Sequence, residues 1–328
     1  MITLAARRFG LVNAAVVLLS LAATARAADY PSRPVTLMVA FTPGGPSDVL
    51  ARIVGKKMGE LLGQPFVIEN RPGAGGNIAA DTVAHATPDG YTLLMGNNSI
   101  LATNEALYKH ITYSPQKDFI PITLIGTQAN ILVVNNDVPA KSLKELIALA
   151  KAQPGKLNFA SSGHGAAAHL AGELFKTEAK VDIVHVPYKG AAPALQDVIA
   201  GHDQMMFATA ASVLGQINGG QVRAIAVTTI KRTTALPDLP TMDEAGLKGF
   251  EASTWHGLVA PTGTPPQVIA TLHEAAIKAL HDPGVEASLA KLGVDIVGDT
   301  PKEFEAYIKA EIPKWAAIVK ASGATLDQ

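Results

Sequence analysis

Cysteine is absent from the 328 residues, which excludes disulfides, thiolate metal sites, a catalytic thiol and a lipidated N-terminal cysteine. Charge is sparse, with Asp, Glu, Lys and Arg at 17% of the chain and no run of either sign. Without a local cluster of cations there is no surface to track phosphates, so nucleic acid is not an expected partner. Beyond the first segment, no stretch approaches the roughly 20 uninterrupted apolar residues of a membrane helix. Internal repeats and low-complexity tracts are missing too. Catalytic patterns are equally scarce. There is no Gly-x-Ser-x-Gly elbow, and none of the nine histidines has an obvious serine partner. His164 and His169 lie five apart, not the four that put two imidazoles on one helical face, so the zinc-protease arrangement is excluded. No catalytic residue, metal ligand or cofactor is expected, and the chain does not read as an enzyme.

What is present begins with Arg7 and Arg8, followed by an apolar run from Phe9 to Ala23 and the small-x-small site Ala25-Arg26-Ala27. This is the pattern of a signal peptide spanning 1–27. The run is too short for an anchor, so the mature protein is expected to start near Ala28 in the periplasm. The Arg-Arg pair leaves twin-arginine export open beside general secretion. Cleavage removes three arginines and no acid, leaving 24 basic residues against 28 acidic ones, a formal charge of −4.

The mature chain alternates strands with helices, the pattern of parallel sheets covered on both faces. Val35 to Phe41 reads as a continuous apolar strand, and Ser47 to Leu62 carries apolar residues at helical spacing up to Gly63 and Pro65. Similar units follow, with capping-box pairs at Ser142/Glu145 and Thr300/Glu303. Pro313 is expected to kink the last helix. Roughly 300 residues predict two lobes. They are expected at 28–130 plus 252–328 and at 131–251, with the chain crossing near Gly126 to Leu132 and near Ala252 to Leu258.

Two glycine-bearing loops carry the chemistry. Phe41 to Asp48, FTPGGPSD, leaves a strand and opens a helix. Gly44 and Gly45 allow close backbone approach, and the first-turn amides are unpaired donors at the positive end of a helix dipole. Ala160 to Leu170 is built alike: Ser161 and Ser162 add hydroxyls, and Gly163 and Gly165 free the backbone before the next helix. One anion site per lobe predicts a clamp; a capped turn is the alternative for either loop alone. His164 is either solvated or a donor to a carboxylate, and His169 reads as a core histidine. Asn97-Asn98-Ser99 supplies cleft amides or merely a turn. Gly163-x-Gly165-x-x-Ala168 fits a loose dinucleotide pattern, which leaves a nucleotide-using α/β enzyme as a competing reading.

Taken in order, YPSRPVTLMVAFTPGGPSD, VIENRPGAGGNIA, PDGYTLLM, the loop Ser161 to Leu170, VPYKGAAPALQD, VRAIAVT and WHGLVAPTGTP resemble the Bug family, the substrate-binding proteins of tripartite tricarboxylate transporters. The resemblance spans the whole mature chain. It implies a two-lobed type II periplasmic-binding-protein fold, each lobe a mainly parallel sheet flanked by helices, with the ligand cleft between the lobes. It also implies a carboxylate ligand, membrane permease subunits as partners, a monomer, and no catalysis. Carried onto this chain, the grip falls on Phe41, Thr42, Gly44, Gly45, Ser47 and Asp48, and on Ser161, Ser162, Gly163, His164, Gly165 and Ala166. Asn97, Asn98, Lys189 and Thr209 contribute from the cleft. Ala166 stands where relatives often carry a hydroxyl, and Ala208 where many carry an aspartate. Both departures suit a plain carboxylate better than an amino acid. Amides and hydroxyls are expected to do the holding, with Asp48 satisfied by its own helix amides and a bridging water. Bulky residues at Gly45 or Gly163 should then block binding. A sensing subunit that presents the same ligand to a signalling protein would share this cleft.

Overall fold

The computed structural model describes residues 30–326 apart from His164 and Lys189. The export segment and those two candidate contacts lie outside the described residues.

The first half of the chain forms β1 (Val35–Val39), α1 (Pro46–Leu62), β2 (Phe66–Asn70), α2 (Asn77–Ala84) and β3 (Thr92–Asn97). A π-helical turn at Ser99–Thr103 leads to the short α3 (Asn104–Leu107) and then to β4 (Phe119–Gln128). With only Ala129 between, β5 (Asn130–Asn135) starts the second sheet. There follow α4 (Leu143–Ala152), β6 (Asn158–Ser161), α5 (Ala167–Ala179), β7 (Val184–Pro187), α6 (Ala191–Ala200), β8 (Met205–Thr209), α7 (Ala210–Asn218) and β9 (Val222–Val227). The return comprises β10 (Thr254–Pro261), α8 (Pro266–Leu280), α9 (Pro283–Lys291), β11 (Val294–Ile296) and α10 (Pro301–Ser322).

Two sheets result, ordered β11-β4-β10-β3-β1-β2 and β7-β6-β8-β5-β9. Each is mixed. The β2-β1-β3 and β7-β6-β8 sets are parallel, as strand–helix alternation predicts, whereas β10, β4 and β11 in one sheet and β5 and β9 in the other pair antiparallel. The antiparallel strands are those on either side of the lobe crossings. β4 is hard to see in sequence because Pro121 interrupts it; Pro121 is accommodated opposite Val259 where the register shifts. α7 is equally hidden, since it leaves β8 with no intervening break and contains Gly215.

Strands covered on both faces must be apolar on both faces. In β1, Leu37 and Val39 pack with Leu50, Val54 and Met58 of α1 and with α8, while Met38 turns to the opposite core, with Ala79, Ala80 and Val83 of α2. α10 covers that second face through Phe304, Ile308 and Trp315, and also packs against α5 of the other lobe. Its start carries the predicted capping box, with Glu303 N donating to Thr300 Oγ1 and Thr300 N donating to Glu303 Oε2. The helix continues past Pro313 to Ser322.

The crossings are tied together. Asn130 N donates to Thr228 Oγ1 (3.1 Å), and Asn130 Nδ2 and Thr228 Oγ1 both donate to the Ala252 carbonyl (2.7 and 3.0 Å). Backbone bonds from Thr228 N to Asn130 O and from Ala252 N to Thr228 O complete the junction.

Candidate ligand-binding cleft

The two candidate loops leave the carboxyl ends of β1 and β6, one in each sheet, and each runs into a helix start. At such ends ligands of α/β sheets collect. The N-cap residues are Gly45 for α1 and Ala166 for α5, and neither makes a side-chain cap. By contrast, Ser142, Asp282 and Thr300 cap α4, α9 and α10 with their own oxygens. The first-turn amides of Ser47 and Asp48, and of Ala167 and Ala168, are thus left for an external acceptor. Gly44 and Pro46 also line a cavity of about 400 Å³ with Ala191, Thr209 and Ser212 of the other lobe, so the first loop faces the second lobe across open space.

Within the loops, most glycine amides are already taken. Gly44 N donates to Asp48 Oδ2 (2.8 Å), Gly163 N to Ser161 Oγ (3.1 Å), Gly165 N to His169 Nδ1 (3.0 Å) and Ala166 N to the Gly163 carbonyl (3.3 Å). This corrects the expectation that loop glycines supply the anion donors; the helix starts supply them. Bonds that would be lost to a pyrophosphate also leave the Gly163–Gly165 segment poorly suited to a dinucleotide.

Asp48 departs furthest from expectation. Its carboxylate accepts from Arg52 Nε and Nη2 (both 2.9 Å), from Gly44 N and from Asn70 Nδ2 (2.9 Å), not from its own helix amides through a water. Asn70 Nδ2 also donates to the Phe41 carbonyl (3.0 Å). The Arg52 hydrogen bonds, helped by Gly44 and Asn70, pull the carboxyl down to about 2. Asp48 is 2% exposed. It is a neutralised brace that clamps residues 41–44 onto α1.

Ser161 is likewise internal. Its Oγ lies 2.6 Å from His185 Nε2 and donates to the Gly163 carbonyl (3.1 Å), which shapes the second loop instead of reaching a ligand. The Ser162 hydroxyl, partly exposed, has no partner among the described residues. His169 is buried in α5 as expected, stacked on His185 with centroids 4.0 Å apart. Asn97 Oδ1 accepts from Ile100 N (3.2 Å), a turn role, and both Asn97 and Asn98 are buried. Thr209 Oγ1 donates to Ser212 Oγ (3.0 Å) at the start of α7 and lies opposite Asn130 at the crossing. Gly45 has φ −76°, open to any residue, so the strain expected there is absent. Gly44 (φ +83°), Gly163 (φ +136°) and Gly165 (φ +74°) do require glycine, and a Cβ on Gly165 would run into Leu107.

Sequence reasoning missed Arg52, Asn70, His185 and His256. The Asp48–Arg52 spacing of four was the available signal; for the others, only tertiary proximity reveals a role. His256 of β10 is 2% exposed, faces Asn97 in register and lies 2.9 Å from Ser47 Oγ. Burial pushes its imidazole down to about 4.

Residues 50–324 match the model of the tripartite tricarboxylate transporter family receptor. The chain belongs to this family. The match covers most of both lobes and ends within the C-terminal segment that follows α10. Among solved relatives of the family, a Rhodopseudomonas palustris structure with adipate is 38% identical, covers 91% of this chain and all of its own, and superposes with a TM-score of 0.79. Periplasmic binding protein BugD is 38% identical over 91% of this chain and all of its own, with a TM-score of 0.76. MatC from Rhodopseudomonas palustris with bound malate is 35% identical, covering 88% of this chain and all of its own, at 0.75. The Bug resemblance and the two-lobed α/β fold both stand, and the family is one of solute-binding receptors.

Proposed function

We propose that this chain is a periplasmic receptor that captures a small carboxylate between lobes 28–130 plus 252–328 and 131–251 and presents it to membrane permease subunits. The observation that carries the reading is the pair of uncapped helix starts, α1 and α5, each placed at the carboxyl end of a parallel strand in a different lobe. Four first-turn amides, with the Ser47 and Ser162 hydroxyls, match the acceptor atoms of one carboxylate. Neither loop contains lysine or arginine, and Arg52 is engaged by Asp48, so binding proceeds without a bidentate arginine. The acids in the related structures, adipate and malate, are consistent with a mono-, di- or tricarboxylate class. No residue set in the cleft forms a nucleophile–base pair, and the role is capture, not turnover.

A thermal-shift screen over mono-, di- and tricarboxylates tests this. An acid at a hundred times its dissociation constant stabilises by about 2.7 kcal/mol. If no carboxylate raises the melting temperature while a nucleotide does, the receptor reading is wrong.

A further inference from the structure

The Ser47–His256 pair is buried beneath the first loop, away from the Asp48 brace. Ser47 stands in the first turn of α1 and is 4% exposed; its hydroxyl has one hydrogen-bond partner among the described residues, His256 Nε2 at 2.9 Å. His256 opens the part of β10 that pairs with the end of β3, where Asn97 is its register partner. It therefore sits at the carboxyl edge of the parallel strands, the floor on which the cleft is built. Its Nδ1 is buried and has no hydrogen-bond partner.

Those facts decide which atom carries the proton. If Nδ1 were protonated, Nε2 would accept from Ser47 and a buried N–H would be left with no acceptor. If Nε2 is protonated, it donates to Ser47 Oγ and only an unfilled lone pair is left at Nδ1. Orphaned buried N–H groups are far rarer than under-used acceptors. The doubly protonated form would bury both a charge and the same orphan donor, and burial indeed keeps the ring neutral.

We propose that His256 is a positioning residue of the cleft: its Nε2–H occupies a lone pair of Ser47 Oγ, which leaves the Ser47 proton to be donated to a carboxylate oxygen of the ligand. The inference rests on the carboxylate-receptor reading above and adds to it a residue that touches no ligand. A serine at a helix start can otherwise turn its hydroxyl inward as an acceptor for its own amides; here the imidazole fixes it as a donor. The cleft thus presents a side-chain donor aimed by a neutral ring, beside the first-turn amides, and selects for an acceptor group on the ligand.

The test has two arms on the purified chain. With ¹⁵N-labelled histidine at pH 7, the His256 signals, assigned by their loss in His256→Gln, should show Nε2 protonated and Nδ1 bare. The opposite tautomer or an imidazolium overturns the proposal without any ligand. In calorimetry with adipate and malate as probes, Ser47→Ala and His256→Phe should each weaken binding about ten- to a hundredfold, the loss of one hydrogen bond to a charged group. The double variant should bind no worse than either, because both act through one hydroxyl. His256→Gln, whose amide can donate from the same place, should recover most of the affinity. Additive losses, or a Ser47→Ala chain that binds like the parent, overturn this inference and leave the receptor reading intact. A parent chain that binds no carboxylate at all overturns both.

Discussion

Asp48 gathers four donors from Gly44, Arg52 and Asn70, so its charge is spent inside the loop before any ligand arrives. Asp48→Asn exchanges an acceptor-only group for one that turns an N–H toward other donors. A loss of about 1–3 kcal/mol is expected, together with weaker carboxylate binding as residues 41–44 loosen. Urea unfolding and calorimetry check this; an Asn variant that binds a dicarboxylate better than the parent would restore the view of Asp48 as a repulsive neighbour. Its pKa of about 2 against an ordinary 3.8 also fixes a pH window. The folded state holds the carboxylate more strongly than the unfolded one, so this contribution is full above about pH 3.8 and is lost as pH falls toward 2. His256 acts in an earlier window. Its folded pKa of about 4 lies below the ordinary 6.5, so the unfolded chain takes up the proton first and stability falls as pH drops from 6.5 to 4. Unfolding curves measured across that range should flatten in His256→Gln and remain steep in Asp48→Asn.

Helix α10 shows how one element serves both lobes. Glu311, 4% exposed, accepts at one oxygen from both Trp255 Nε1 (2.9 Å) and Trp315 Nε1 (2.7 Å), and Lys314 Nζ lies 2.8 Å from the other oxygen. Trp255 belongs to β10, the strand that re-enters the first sheet, so the carboxylate pins the C-terminal helix to a crossing. Removing it leaves two indole N–H groups without acceptors and a lysine beside an apolar cluster. Glu311→Ala should therefore cost about 2–5 kcal/mol, whereas Glu311→Gln, which keeps the shared acceptor, should lose less than half as much. Thermal unfolding of the two variants separates the shared acceptor from simple packing; equal losses would assign the effect to packing.

For the molecule as a whole, the lobes are joined by β4–Ala129–β5 and by the Thr228–Ala252 junction, while the two uncapped helix starts lie in different lobes. Half of the proposed clamp resides in each, and a ligand that contacts both favours the closed arrangement by that differential contact. Solution scattering with saturating dicarboxylate should show a smaller radius of gyration than the free chain. An unchanged radius would mean that the pocket is preformed.

The sequence by itself determined what depends on neighbours along the chain. The α/β class, the two helix starts after glycine loops, the capping box at Thr300 and Glu303, and the family all follow from local spacing and ordered motifs, because helix caps and buried strands are short-range signals. Register, crossing points and the use of each hydrogen bond depend on residues far apart in the chain. Only the tertiary structure placed Asn70 against Asp48, His185 against Ser161 and His256 against Ser47, pairs separated by 22, 24 and 209 positions. Those contacts decided that the glycine amides brace their own loops and that the helix starts remain open, since a donor satisfied within the protein is lost to the ligand.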